Sequence, residues 1–469
     1  MSKMTASCDE AIVSTFIHTL PYEILLITFR LVAWVPQDDP HSLVSSYSSP
    51  GLFHTKTTIQ LGAVCSRWRY IIWQAPHLWT DCLLTLPNCP LNVTKLALKN
   101  TQGNPITALI DFNSRISSAK LRTILVEHRS HIQCLRISLS PWDARQEWVA
   151  TAQFLDSPHS FPSLRELSIN GDIGKGSIAW DHLRLFIQCD QPHQLAYVRP
   201  RNHFTPWHVA NEWLTVLHIC NVIPIDQCCR LLLHSPNLIQ FRCVTPRPSS
   251  KLFEPASLLS PSSPPIFRDK LEVLEWGIYP RSGSDEWYLW LLSAFRFPSL
   301  RHLSWVANRP MASLSQTRPF FLGSSPGIQS ISWTEGGIPW FLENLPELNT
   351  TVQTLRLKCT VAFPALFTHL STPRLDGSPR FPNLKSLKLS FFTSNKQLLS
   401  ESVLQFLSSR HQIPSSPFNK LVLESGIYGP IKFDEEQEVK LKFFRKAGIV
   451  LDLVEAEWGL PIVSGFVIG

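Results

Sequence analysis

The sequence predicts an α+β protein in two parts: a small N-terminal helical module, then a long α/β array with parallel strands on one face and helices on the other. Three observations predict it. Two apolar segments with helical spacing lie within the first 84 residues. A short strand-like pattern then recurs ten times from Ile132 onward. The composition, 44 % hydrophobic and 17 % charged over 469 residues, can bury a large core and excludes a globally disordered chain. The length is too great for one small core.

The first helical segment is LPYEILLITFRLVAW, residues 20–34. Ile24, Leu25, Ile27, Leu31 and Val32 approximate the three/four spacing of a helix with a wide buried face. Pro21 suits the first turn, where its missing N–H is not needed, and Thr19 is placed to be the N-cap. Glu23 falls in that first turn, where the helix dipole favours negative charge.

The second segment is LGAVCSRWRYIIWQAPHLWTDCLL, residues 61–84. Leu61, Val64, Cys65, Trp68, Ile71 and Ile72 fall on one stripe, with Arg67 and Arg69 facing away. Pro76 ends the helix, and Leu78 with Trp79 returns an apolar anchor to it.

The order Leu-Pro-x-Glu-Ile-Leu, then Val-Cys-x-x-Trp, then Leu-Trp resembles the F-box, the helical module that joins a substrate receptor to a cullin-type ubiquitin ligase. The resemblance covers the N-terminal module. It implies that Leu20, Pro21, Ile24 and Leu25 meet a Skp-family adaptor, and through it a cullin. Val64, Cys65 and Trp68 then supply the second half of that contact and the module's own core. The segment 35–59 departs from the family by its length; its Pro, Ser, Gly and His content predicts a surface loop.

From Ile132 the pattern apolar-x-x-apolar-x-apolar begins at Ile132, Leu164, Leu214, Leu238, Leu271, Leu300, Ile328, Val352, Leu384 and Phe418. Most neighbours are 24 to 34 residues apart, the range of leucine-rich repeats and slightly beyond. The 50-residue interval after Leu164 suggests a degenerate unit near Leu195. Each pattern reads as a short strand. Helix-like stretches lie between them, at 115–128, 180–189, 225–234, 286–295 and 397–410. Strand and helix alternating at this spacing predict an irregular leucine-rich-repeat-like solenoid, in which each unit buries its face only by stacking.

The expected organisation is a disordered 1–16, the F-box-like module over 17–84 with its insert 35–59, the array over 90–425, and a C-terminal cap over 426–469. A Pro/Ser-rich loop interrupts the array at 245–268. Within the cap, a helix is expected around 434–447, followed by a strand from Ile449.

The sequence does not point to an enzyme. There is no H-E-x-x-H or G-x-G-x-x-G. Gly171 to Ser177 has the wrong glycine spacing for a P-loop, and Gly176 interrupts its Lys-Ser pair. Cys220, Cys228, Cys229 and Cys243 lack a Cys-x-x-Cys pair, so they read as packed thiols rather than a zinc site. His128 and His131 have no third ligand in register, and Glu435 and Glu436 sit on a charged helix. No catalytic residue, cofactor or metal is therefore expected.

The formal charge of +7 is spread thinly, the densest stretch being Lys440, Lys442, Arg445 and Lys446, so neither nucleic acid nor membrane is an expected partner. Asp9 and Glu10 interrupt the only candidate leader, and eleven scattered cysteines suit reduced thiols. A cytoplasmic or nuclear protein is expected.

What remains is a surface. The residue between the last two apolar positions of each pattern should point onto the open face of the array: Arg136, Ser168, His218, Arg242, Glu275, Ser304, Ser332, Arg356 and Lys388. Arg136, His218, Arg242, Arg356 and Lys388 are the candidate target-binding residues, a mildly basic face suited to an acidic or phosphorylated segment. The plainer reading is solvated charge on exposed strand positions. Two functions follow: a substrate-recognition subunit of a ubiquitin ligase for a target protein still to be identified, or a non-degradative scaffold that uses the same array.

Overall fold

The computed structural model describes residues 19–33, 55–85, 91–111, 126–139, 162–172, 182–189, 214–247, 264–277, 291–306, 314–335, 348, 350–359, 363–374, 377, 379–391, 396–413, 416–425 and 433–455. The chain is mixed α/β and divides into two compact units. The first comprises Met1–Lys175 with Gln191–Arg199, the second Gly176–Asp190 with Pro200–Gly469.

The first unit opens with α1 (Tyr22–Ala33), α2 (Thr55–Val64) and α3 (Ser66–Trp73), closed by a 3-10 turn at Pro76–Leu78. The Pro21 carbonyl accepts the first helical bond from Leu25 N–H, so Pro21 occupies the N-cap position, and Thr19 is itself helical. The expected wide buried face of α1 is corrected. Only Leu25 and Phe29, one turn apart, are buried, while Ile24, Ile27, Leu31 and Val32 are exposed. The covering elements α2 and α3 are short, and they reach one stripe of α1 rather than a broad face.

The second segment is not one helix. The chain breaks at Cys65, whose extended backbone ends α2 and whose Sγ accepts the Trp68 N–H at 3.4 Å to cap α3. Nor do its arginines simply face away. Arg67 donates to the Leu20 carbonyl and Arg69 to that of Gly62, tying α3 to the entrance of α1 and the end of α2. The expected loop 35–59 is helical from Thr55, because Thr55 to Val64 forms α2; residues 35–54 lie outside the described set.

The same unit continues as β1 (Asp81–Thr85), α4 (Leu91–Asn100), β2 (Ile106–Asp111), β3 (Ile132–Leu139) and β4 (Glu166–Asp172). These four strands pair in parallel in sequence order. Ala108, Leu135 and Leu167 share one register row and are all buried, which is what stacks the strands.

The second unit begins with β5 (His182–Cys189), which runs antiparallel to β6 (Leu214–Pro224). This overturns the helix expected over 180–189. Leu183-Arg184-Leu185-Phe186-Ile187 is a short apolar run broken by one arginine, compatible with a strand, and its pairing with β6 makes it one. Then follow α5 (Ile225–His234), β7 (Gln240–Arg247), β8 (Ile266–Phe267), β9 (Val273–Trp276), β10 (Phe295–Arg296), β11 (His302–Val306), α6 (Leu314–Ser324), β12 (Ser330–Glu335), β13 (Thr354–Cys359), α7 (Phe363–Ser371), β14 (Ser386–Phe391), α8 (Lys396–Gln412), β15 (Lys420–Ser425), α9 (Glu435–Lys446) and β16 (Val450–Glu455). The order β6-β7-β9-β11-β12-β13-β14-β15-β16 is parallel throughout, and β8 pairs with β10 separately.

Each of the ten recurring patterns begins or immediately precedes a strand, and the helices expected at 225–234, 397–410 and 434–447 are α5, α8 and α9. Of 286–295, residues 291–294 are helical and Phe295 already belongs to β10; of 115–128, residues 126–128 are helical; the rest of both stretches lies outside the described residues. So do the unit expected near Leu195 and most of the 245–268 loop.

The core of this unit is a set of register rows. Phe241, Leu274, Leu303, Ile331, Leu355, Leu387 and Leu421 form one row, all buried. Two residues further along, Cys243, Trp276, Trp305, Trp333, Leu357, Leu389 and Leu423 form the next. Trp276 stacks on Trp305 with centroids 6.4 Å apart, and Trp305 on Trp333 at 6.2 Å. Ahead of each strand a backbone ladder runs Arg301 N–H to Glu272 O, Gln329 to Arg301, Gln353 to Gln329 and Lys385 to Gln353. Gly327 permits this spacing, since a Cβ there would lie 2.9 Å from the Leu300 carbonyl oxygen.

Opposite the tryptophans lies the helical layer, with Cys228 and Leu232 of α5, Phe367 of α7 and Phe406 of α8 buried. The Cys228 and Cys243 sulfurs are 3.3 Å apart and buried, joining α5 to β7. Cys220 is in β6. At the C-terminal end, α9 is fixed by a capping box between Asp434 and Gln437. Among the described residues no helix is long and apolar enough to cross a membrane.

Candidate functional site

Two surfaces carry candidate residues, one in each unit. In the first unit Leu25 is buried, whereas Pro21, Ile24 and Val64 are exposed and Leu20, Cys65 and Trp68 are partly covered. The split is physically sensible. Leu25 and Phe29 hold α1 to the module, and Phe29 meets the Trp68 ring edge to face with centroids 4.7 Å apart. Trp79 closes the far side, its indole N–H donating to the Ile72 carbonyl at 2.9 Å. The remaining apolar side chains have nowhere to go: Ile24, Ile27, Leu31, Val32 and Val64 keep between 46 % and 64 % of their surface. Tyr70 and Trp73 of α3 are exposed too. The F-box resemblance names Ile24 and Val64 as contact residues; helical spacing alone places Ile24, Ile27, Leu31 and Val32 on a buried face, and all four are exposed.

In the second unit the register rows show which strand residues share the polar face. His218, Arg242, Glu275, Ser304, Ser332, Arg356 and Lys388 lie side by side on consecutive strands, and Val422 and Asp452 extend the row. Seven of the nine positions read from the pattern therefore form one continuous ladder. The other two, Arg136 and Ser168, are register partners in β3 and β4 of the first unit.

His218 is corrected. It is 2 % exposed, because β6 is covered on both faces: every residue from Leu214 to Ile219 is buried. The strand carries Val216 where the neighbouring β7 has Gln240, and it buries two polar side chains, Thr215 and His218, among its apolar ones.

The charges of this face are largely matched across strands. The Arg242 Nε is 3.7 Å from a Glu275 oxygen, the Lys388 ammonium 2.5 Å from Glu424, and the Lys420 ammonium 3.2 Å from Asp452. The second Glu424 oxygen accepts from the Ser390 hydroxyl at 2.6 Å. Burial pushes the Glu275 carboxyl up, against the opposing pull of Arg242 and Arg356. Burial likewise pushes the Lys358 ammonium down, with Glu424 resisting. His302 is lowered by burial first and then by Arg242, Arg301 and Arg356, so its imidazole is neutral at pH 7. Glu424, Asp452, Lys358 and Lys420 were not among the sequence candidates. They sit two residues from, or one strand beyond, the positions that were, so the period-two rule applied once more would have found them.

Arg356 differs from its neighbours. It is exposed and makes no ion pair or hydrogen bond with any described residue. Beside it, Ser332 and Ser304 are half-buried, and their hydroxyls bond to no described residue either. No group of three or more His, Cys, Asp or Glu able to hold a metal occurs among the described residues. In comparisons with known proteins, the sequence matches no family model and no curated protein.

Proposed function

We propose that this chain is the substrate-recognition subunit of a cullin-type ubiquitin ligase, itself non-catalytic. In this reading α1 to α3 form an F-box-like module that docks on a Skp-family adaptor, and the parallel-strand array is a leucine-rich-repeat-like solenoid that holds the target protein. The observation that carries the reading is the uncovered apolar face of α1. Ile24, Ile27, Leu31 and Val32 lie together on a helix that only Leu25 and Phe29 anchor, and Val64 adds to the exposed set. Apolar side chains clustered in this way mark a protein contact, and burying the half of each that is still exposed contributes roughly 1 kcal/mol. Their location supports the reading, since they belong to the two segments whose residue order resembles the F-box.

The test is co-purification with a Skp-family adaptor, wild type beside Ile24→Asp and Val64→Asp. Both side chains are exposed, so the variants keep their fold, which circular dichroism checks. Capture by wild type and loss in both variants is the expected result. Folded wild type that captures no adaptor removes the ligase reading and leaves the array as a scaffold. Capture without any dependence on Ile24 or Val64 places the adaptor contact elsewhere and removes the assignment of this face.

A further inference from the structure

The polar face of the second unit is not uniformly basic. Its central row reads Arg242, Glu275, Ser304, Ser332, Arg356, Lys388, Val422, Asp452 across consecutive strands. Arg242 is matched by Glu275, and Lys388 by Glu424. In the row below, Lys420 is matched by Asp452. What remains on the central row is one exposed guanidinium, Arg356, beside two serine hydroxyls without partners among the described residues. Because Ser304 and Ser332 are small, they form a low floor between the taller Glu275 and Arg356. The three strands β11, β12 and β13 set these side chains about 4.8 Å apart, so the floor spans roughly 10 Å. The Arg356 charge acts on both His302 and Glu275, two and three strands away along this face. Thr354, on the same strand as Arg356 and two residues before it, adds a further hydroxyl on this face.

We propose that Ser304, Ser332 and Arg356 bind one carboxylate, carried by an acidic side chain of an extended target segment lying across β11, β12 and β13. The class of ligand follows from charge. A single unmatched guanidinium balances a monoanion, and its planar fork suits the two oxygens of a carboxylate. A phosphoryl group carries about −1.5 to −2 charge, which one arginine does not balance. The floor crosses interior strands, with β9 on one side and β14 on the other, so a chain passing over it continues in both directions. That geometry fits an internal acidic side chain. The site rests on the receptor reading only in taking its occupant to be the target.

The experiment uses the full chain and three fluorescein-labelled, C-terminally amidated peptide pools of uncharged background with one central residue fixed as Glu, Gln or phosphoserine. Fluorescence anisotropy should show the Glu pool binding several-fold more tightly than the Gln pool. Arg356→Gln should abolish that preference, a loss of roughly ten-fold or more where a charge-assisted pair is removed. Ser332→Ala should weaken it without disturbing the fold, and the tryptophan near-UV signal checks that the sheet is intact. Equal binding of the Glu and Gln pools, or a Glu preference that survives Arg356→Gln, overturns the proposal. So does a stronger preference for phosphoserine than for Glu, which would indicate a dianion site. Adaptor capture measured on the same samples keeps the two readings apart. Its retention alongside a failed peptide test removes the carboxylate site alone, and its loss alongside a Glu preference removes the ligase reading alone.

Discussion

Phe29 of α1 and Trp68 of α3 meet edge to face with ring centroids 4.7 Å apart, and with Leu25 they fasten the first helix to the module. Aromatic pairs in this geometry contribute about 0.5–1.5 kcal/mol beyond the area they bury. Four apolar neighbours on the same helix are left to solvent, so the two kinds of position should separate cleanly by mutation.

Phe29→Ala should lower the unfolding free energy of the first unit by roughly 3–5 kcal/mol, as large-to-small changes in a packed core do. Leu31→Ala, at an exposed position, should change it by no more than about 0.5 kcal/mol. Urea unfolding followed by tryptophan fluorescence checks both. Equal sensitivity at the two positions would mean that the exposed face of α1 is covered within the chain, and with it the adaptor proposal would fall.

Arg410, on α8, is a second fastening, built from an unusual part. Its guanidinium is almost fully buried and faces carbonyls instead of a carboxylate. Nη1 donates to the Phe381 oxygen at 3.1 Å, and Nη2 to those of Arg380 at 2.7 Å and Leu370 at 3.3 Å. It also lies over the Phe406 ring, 5.2 Å from the centroid. One side chain thus satisfies the end of α7 and the turn before β14, where Phe381 has a positive φ of 50°. Burial pushes its pKa down to about 10, so it stays charged at neutral pH. Arg410→Met keeps the stem and removes the donors. It should cost about 3 kcal/mol, because buried carbonyls lose their partners. Arg410→Lys should recover only part of this, since an ammonium lacks the planar fork that reaches several acceptors. Thermal unfolding of the three proteins measures the order, and a Met variant as stable as wild type would show that the carbonyls find other donors.

Much of the second unit was legible because its pattern is local and repeated. Leu274, Leu303, Leu355 and Leu387 hold the same place in each unit, and period two in a short strand leaves only one way to bury them together. The face bearing Arg242, Glu275, Arg356 and Lys388 followed from that same alternation. Pairing was not legible. Glu424 and Asp452 neutralise lysines one strand away, and which strands adjoin is a property of the fold, not of any segment. The antiparallel β5 is illegible for a related reason: a short apolar run such as 183–187 suits helix or strand alike, and its partner β6 is fixed only by the fold. For α1 the periodic residues gave the helix but not what covers it. A spacing rule reports which residues share a face, and Leu25 and Ile24 are separated only by the neighbours α2 and α3 supply.

Glu275 sets the last expectation, and it concerns pH. Its side chain keeps 24 % of its surface, yet burial raises its carboxyl from its ordinary value in spite of Arg242 at 3.7 Å. A carboxyl raised in the folded state binds its proton more tightly there than in the unfolded chain. Ionising it therefore disfavours folding at pH values above the raised pKa, and the penalty disappears below the unfolded value near about 4.3. Glu275→Gln removes the charge while keeping an oxygen toward Arg242. The variant should be more stable than wild type at pH 7, with the advantage shrinking as pH falls through the raised pKa and vanishing below the unfolded one. Urea midpoints of both proteins at several pH values between 7 and 4 check the trend. An advantage for wild type at pH 7 that is lost on acidification would show instead that the Arg242 pair outweighs desolvation, and that Glu275 holds the sheet face together by its charge.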